Sequence, residues 1–273
     1  DYRVMIGLQY LVKFAKQAGI TSRLEPVLSF PLGSNVTTLL ESVRMYEGLV
    51  TGNVIVTKAD NRDEQDLLAV IERIESAEGE ELYRPERLRR TLVAPDVSVE
   101  VGHVLENIIK FGTGRSADKH VRISYASSSA DQVLSKMELK VPMLGKTGTA
   151  NRYTNAAFLG FLPGVTEEKD AMTVHGGYAV GVYVGFDNNK TMRKGATKVT
   201  GALGALPAWA EIVNALLEEK NYSEKLNPVD LSFTGLLLKR SGHNQLNLAA
   251  APGMGGKIKT PAQMVDEVDR TSP

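Results

Sequence analysis

Val141-Pro142-Met143-Leu144-Gly145-Lys146-Thr147-Gly148-Thr149-Ala150 passes from apolar to polar within one short stretch. Its first half reads as a strand entering a core, and its second half delivers a lysine and two threonines to that strand's outer end. At the end of an edge strand, Lys146 supplies a fixed positive charge suited to a carboxylate. Thr147 and Thr149 add hydroxyls for the same group. Gly148 lacks a Cβ, so an acyl substrate can lie against the backbone and pair with it as an added strand. The N–H of Thr149 can then donate to a developing oxyanion. The same tetrapeptide also makes a good turn, so the reading depends on what surrounds it.

Working outward, four further segments stand in a telling order. Leu11 to Ile20 reads as a helix ending in Ala18-Gly19-Ile20, and Leu32-Gly33-Ser34-Asn35-Val36-Thr37-Thr38-Leu39-Leu40-Glu41 opens the next helix. Asn107 to Gly114 ends a third helix in Phe111-Gly112-Thr113-Gly114, and Asn155-Ala156-Ala157-Phe158-Leu159-Gly160-Phe161-Leu162-Pro163 follows the lysine motif. In this order, as far as about Asn221, the chain resembles the C-terminal part of the transpeptidase domain of class A, bifunctional penicillin-binding proteins. Lys146-Thr147-Gly148 is then their third signature motif.

The resemblance implies an α/β fold of the α+β type, like that of penicillin-binding proteins and β-lactamases, with an antiparallel sheet flanked by helices. It implies a D,D-transpeptidase in which a serine attacks a D-Ala-D-Ala bond and passes the acyl group to an amine of a neighbouring stem peptide. Lys146 and Thr147 take the catalytic positions, and Gly148 and Thr149 bind substrate. Peptidoglycan stem peptides and β-lactam antibiotics are the implied partners. No metal and no organic cofactor is implied.

The chain departs from the family in two ways. Asn155 and Ala157 stand where an acidic residue and a tryptophan are usual. The serine-any-any-lysine and serine-any-asparagine motifs would fall before Asp1, so the fold is expected to be incomplete at its N-terminus and the isolated chain inactive. Ser116-Ala117-Asp118-Lys119 fits the first motif in spelling. It follows Gly112-Thr113-Gly114 in a polar stretch, however, which suits an N-cap or turn better than a buried catalytic helix. Two alternatives stay open, a non-catalytic transpeptidase-like scaffold and a serine D,D-carboxypeptidase or β-lactamase.

Composition fits this picture. The chain of 273 residues has 32 basic and 32 acidic side chains, so no strong overall field points to nucleic acid. It has no cysteine, which excludes a disulfide framework, a thiol nucleophile and thiolate metal sites. His103, His120, His175 and His243 show no metal-ligand spacing, and no Gly-x-Ser-x-Gly elbow occurs. No stretch reaches the roughly 18 to 20 apolar residues that span a bilayer. The resemblance implies an extracytoplasmic, periplasmic-side location, with membrane attachment only through an anchor upstream of these residues and a glycosyltransferase domain there too.

Local patterns give the elements. Arg3 to Ala18 carries an apolar face through Val4, Leu8, Leu11, Val12 and Ala15, with Gly19 as its stop. Thr38 and Glu41 form a capping box for a helix that Gly52 ends. Asn61 to Asp66 reads as a charged loop, and Val70 to Tyr83 as a hairpin turning at Gly79. Val97, Val101, Val104, Ile108 and Phe111 predict the buried stripe of a third helix. His175-Gly176-Gly177 predicts a turn before a strand from Tyr178 to Phe186, and Pro207 to Glu218 a closing helix. The serine-rich run Ser124 to Ser129 reads as a loop. Residues 1–220 form the expected transpeptidase portion, and 221–273 an extension in which Leu231 to Leu238 is apolar enough to pair.

Overall fold

The computed structural model describes residues 2–58, 71–125, 140–226 and 236–239, and the backbone of 249–250 and 258–259. It divides into two compact units, Asp1–Ala94 and Pro95–Pro273. The charged loop expected at Asn61 to Asp66, most of the serine-rich run and most of the expected extension lie outside the described residues.

In the first unit, helix α1 (Tyr2–Gln17) buries only Leu8 and Ala15, and Gly19 turns the chain at φ +99°. Ala15 packs with Ile20 and Leu24, against Val12, Phe30 and Met45. Helix α2 (Leu39–Thr51) has the predicted capping box between Thr38 and Glu41, and left-handed Gly52 ends it. Strand β1 (Asn53–Lys58) buries Val54 and Val56. A small hairpin pairs β2 (Ile74–Glu75) with β3 (Glu81–Tyr83) around Gly79. Strand β4 (Glu86–Thr91) pairs antiparallel with β1.

Glu41 does more than cap. Its Oε1 accepts from the N–H of Thr21 at 2.7 Å, the Thr21 hydroxyl at 2.7 Å and the N–H of Ser22 at 2.6 Å. Its Oε2 accepts from the Ser22 hydroxyl at 2.7 Å and from the N–H and hydroxyl of Thr38 at 2.8 and 2.9 Å. Burial alone would raise this carboxyl, but the bonds from Ser22, Thr38 and Thr21 outweigh it and hold the group far below the usual carboxylate range. A capping residue thus also anchors the chain that leaves α1.

The second unit opens with helix α3 (Pro95–Phe111) and short α4 (Arg115–His120). A sheet follows in the order β10-β7-β6-β5, built from β5 (Leu144–Thr149), β6 (Asn155–Val165), β7 (Met172–Gly185) and, after the elements below, β10 (Leu238–Lys239). A minimal hairpin, β8 (Arg193–Lys194) with β9 (Thr197–Lys198), leads through a wide turn at Gly201–Ala205 into α5 (Leu206–Glu219) and the single-turn α6 (Tyr222–Lys225).

Trp209 on α5 sets the sheet's packing. It lies edge-on to Phe158, with ring centroids 4.9 Å apart, and its indole N–H donates to Val180 O at 3.1 Å. A Cβ on Gly160 would fall 2.5 Å from the Trp209 ring, so that strand position has to be glycine. Buried Tyr222 donates to Pro163 O at 2.8 Å and extends this core to α6, with Leu226 beside it.

Three sequence expectations change. The sheet is not wholly antiparallel, because Leu238–Lys239 pairs parallel with Met172–Thr173. His175-Gly176-Gly177 lies inside one continuous strand as a bulge, where the register steps from Leu162↔Tyr178 to Gly164↔Thr173 and Gly176 adopts φ +67°. The third change is in α3, which turns the predicted stripe outward: Val104 is 42% and Phe111 61% exposed, while Ser98, Gly102, Leu105 and Ile109 are buried. This helix has two apolar stripes. The one containing Ser98 and Gly102 lets the helix backbone come close, and α3 packs on β5.

Candidate active site

Strand β5 ends the sheet, and among the described residues no strand pairs with its outer side. Its register with β6 sets Lys146 opposite Leu159, Thr147 opposite Phe158 and Gly148 opposite Ala157. The N–H of Ala150 donates to Asn155 O at 2.8 Å, which directs residue 150 toward β6. Alternation then turns Gly148 and Lys146 the same way and aims the backbone groups of Thr147 and Thr149 at the open edge. The Lys146 ammonium agrees, donating to the Thr147 carbonyl at 2.8 Å from that open side.

The two motifs singled out in the sequence meet here. The Thr113 and Thr147 hydroxyls are 2.6 Å apart. Thr113 reaches that position because both flanking residues are glycines. The N–H groups of Gly112 and Gly114 each donate to Ile108 O at 3.0 Å. A Cβ on Gly112 would sit 3.0 Å from Ile108 backbone, and one on Gly114 2.9 Å from Ile109, so the turn can fold tightly onto the end of α3 only without side chains.

Gly201, which sequence reasoning passed over, completes the arrangement. Its N–H donates to the Thr149 hydroxyl at 2.9 Å. A Cβ there would lie 2.6 Å from both Gly148 O and Ala157 O, so the turn before α5 rests directly on the motif strand. In the sequence it was one more glycine in a run of small residues before Pro207. Gly148 itself differs, since a Cβ there would meet only Ala157, at 3.7 Å. Its missing side chain serves the open space in front of the strand and is not required by packing behind it. Ala157, one of the two departures, is what keeps that space clear. Asn155, the other, accepts from the Tyr183 hydroxyl at 2.6 Å and donates to Asn189 at 3.5 Å.

Lys146 and Thr149 are exposed and Thr147 half-buried, so four of the predicted site features, the three side chains and the bare Gly148 backbone, reach solvent on one strand. Ser116 is not among them. It lies on α4, and its hydroxyl is 3.3 Å from His120 Nδ1, a nitrogen 2.6 Å from the Ser116 carbonyl. Asp118, from the same tetrapeptide, is buried against Lys140 at 2.6 Å. Among the described residues no cluster of acidic or histidine side chains is arranged to hold a metal.

No protein-family model matches the chain. Penicillin-binding protein 1A of Rickettsia typhi is 25% identical over 214 residues, covering 77% of this chain and 24% of that protein. Penicillin-binding protein 1A of Neisseria lactamica is 25% identical over 219 residues, with 78% and 22% covered. This chain is similar to the penicillin-binding protein 1A of both organisms. It spans about a quarter of the length of those relatives. The crystal structure of penicillin-binding protein 1A from Haemophilus influenzae shares its fold, with a TM-score of 0.52 at 17% identity, over 93% of this chain and 36% of that one. The α/β penicillin-binding-protein fold expected from the sequence is therefore the fold found.

Proposed function

We propose that this chain supplies the carboxylate-binding and oxyanion-stabilising part of a serine-type D,D-transpeptidase that cross-links peptidoglycan and is acylated by β-lactams. The observation that carries the reading is the outer edge of β5, which pairs with no strand among the described residues and on which Lys146, Thr147 and Thr149 surround the bare backbone of Gly148. A donor peptide adds to that edge as a strand, and its terminal carboxylate takes the Lys146 ammonium away from the Thr147 carbonyl. Thr147, oriented by Thr113, and Thr149, oriented by Gly201, present hydroxyls to the same carboxylate. The outward N–H of Thr149 stabilises the oxyanion as the acyl carbon becomes tetrahedral.

In this reading the nucleophile and its base come from outside these residues, and the Ser116 hydroxyl, 3.3 Å from His120 Nδ1 on its own helix, is not the attacking group. The proposed setting is the periplasmic side of the cytoplasmic membrane, with stem peptides as substrates and attachment through a segment outside these residues. Among the described residues no helix is long and apolar enough to cross a membrane.

Intact mass after incubation with a penicillin, on the full gene product and on this chain, tests the reading. An adduct on the full product at a serine outside the chain, lost or strongly slowed by Lys146→Ala, is expected. No adduct on either protein, or acylation indifferent to Lys146, overturns it.

A further inference from the structure

Although the chain as a whole is neutral, the end of the sheet beside Thr149 is strongly cationic. No Asp or Glu occurs between Glu138 and Glu167, or between Asp187 and Glu211. Those two segments form the motif strand, the turn after it and the β8–β9 hairpin. They bring Lys146, Arg152, Lys190, Arg193, Lys194 and Lys198 to the surface, all exposed.

The hairpin is tied to the motif strand at several points. Met192 N–H donates to Tyr153 O at 2.8 Å, the Thr191 hydroxyl donates to Arg152 O at 2.6 Å, and Gly201 N–H reaches Thr149. Lys198 Nζ stands 5.5 Å above the Tyr153 ring.

Two features of this region cost free energy. Arg193 and Lys198 are directly opposite each other in the hairpin register, and like charges so placed repel. The turn they brace holds two successive non-glycine residues at positive φ, Arg152 at 58° and Tyr153 at 56°. Among the described residues no acidic side chain pairs with any of the hairpin's cations. Asn155, the polar side chain at the start of β6, is neutral and engaged with Tyr183 and Asn189.

We propose that the β8–β9 hairpin and Arg152 form an anionic subsite for a second acidic group on the peptide whose terminal carboxylate Lys146 holds. The inference rests on the transpeptidase reading for the identity of the peptide. A peptide is favoured over an anionic membrane because the hairpin is bonded to the turn that follows the motif strand, at the Thr149 end of the edge along which a substrate strand would lie. An arriving carboxylate converts the Arg193–Lys198 repulsion into a shared contact, and at about 10 Å screening length in 0.1 M salt the cluster also steers acidic substrates to the edge.

The test is direct binding, measured by fluorescence anisotropy on the 273-residue chain. The probes are two labelled pentapeptides ending in D-Ala-D-Ala, one with a free glutamyl α-carboxylate and one with that group as an amide. The free acid is expected to bind about tenfold tighter in low salt, with the advantage shrinking as salt rises. Arg193→Gln combined with Lys198→Gln should abolish the advantage, whereas Lys146→Ala should weaken both probes alike. Arg193→Gln alone should also leave the apo melting temperature unchanged or raised, which a purely structural arginine would not do.

Equal binding of the two probes, or an acid preference that survives the double variant, overturns the proposal. So does Arg193-dependent capture of phosphatidylglycerol vesicles without discrimination between the probes, which would assign the patch to a membrane. Because the readout needs no acylation, acid discrimination in a protein that no penicillin acylates would sink the transpeptidase reading and leave the subsite standing.

Discussion

Glu41→Gln should be among the most damaging single-atom changes in the first unit. The carboxylate accepts six hydrogen bonds, three on each oxygen, and an amide replaces one of those oxygens with a donor. With the nitrogen at the Oε1 position, the N–H groups of both Thr21 and Ser22 lose their acceptor. At the Oε2 position only the Thr38 N–H does, because the Ser22 and Thr38 hydroxyls can rotate. The second orientation is therefore the cheaper one. It leaves the part-buried Thr38 N–H without its acceptor, at about 1 kcal/mol or a little more, and turns the remaining charge-assisted bonds into neutral ones of roughly half the strength. A total of about 3 kcal/mol follows, which lowers the melting temperature of a unit this small by roughly 12–24 °C.

Calorimetry, with hydrogen exchange on peptides spanning Thr21 to Ser42, would read the change in the right unit. The pH dependence gives a second check. The folded carboxyl is held below its ordinary value of 4.5, so its contribution is fully present above that value and is lost as pH falls below it. The gap between wild type and variant should be constant from neutral pH to about 5 and close progressively in acid. A variant melting within about 2 °C of wild type, or a gap that persists unchanged to pH 3, would refute the reasoning.

The two glycines at the site should respond oppositely to alanine. Gly148→Ala has room behind it and should melt within about 2 °C of wild type while slowing penicillin acylation of the full product at least tenfold. Gly201→Ala, whose Cβ would lie 2.6 Å from two carbonyl oxygens, should cost about 2–4 kcal/mol by thermal denaturation. Thr113→Val removes the hydroxyl that orients Thr147 and should lower stability by about 1 kcal/mol and acylation by less than Lys146→Ala does. Unchanged acylation would show that Thr147 needs no such partner. On α3, Val104→Lys should change stability by no more than about 0.5 kcal/mol and Leu105→Ala should cost about 2–5 kcal/mol. The reverse ranking in denaturant titrations would mean that the predicted stripe was the buried one after all.

By itself the sequence determined the local punctuation and the identity of the motif strand. Gly19 and Gly52 stop their helices, Thr38 and Glu41 cap α2, Gly79 turns its hairpin, and Lys146 to Thr149 arrive at the surface, because each depends on neighbours a few residues apart. Tertiary structure decided the rest. Periodicity shows that α3 is amphipathic, but with two apolar stripes available only the close approach to β5 selects Ser98, Gly102, Leu105 and Ile109. The strand at Leu238–Lys239 is equally apolar whether it pairs parallel or antiparallel, and its partner lies far away in sequence. The contacts that shape the site join Thr113 to Thr147 and Gly201 to Thr149. They span 34 and 52 residues, and no local pattern encodes them, because a hydroxyl and a bare backbone amide become specific only when the fold brings them together.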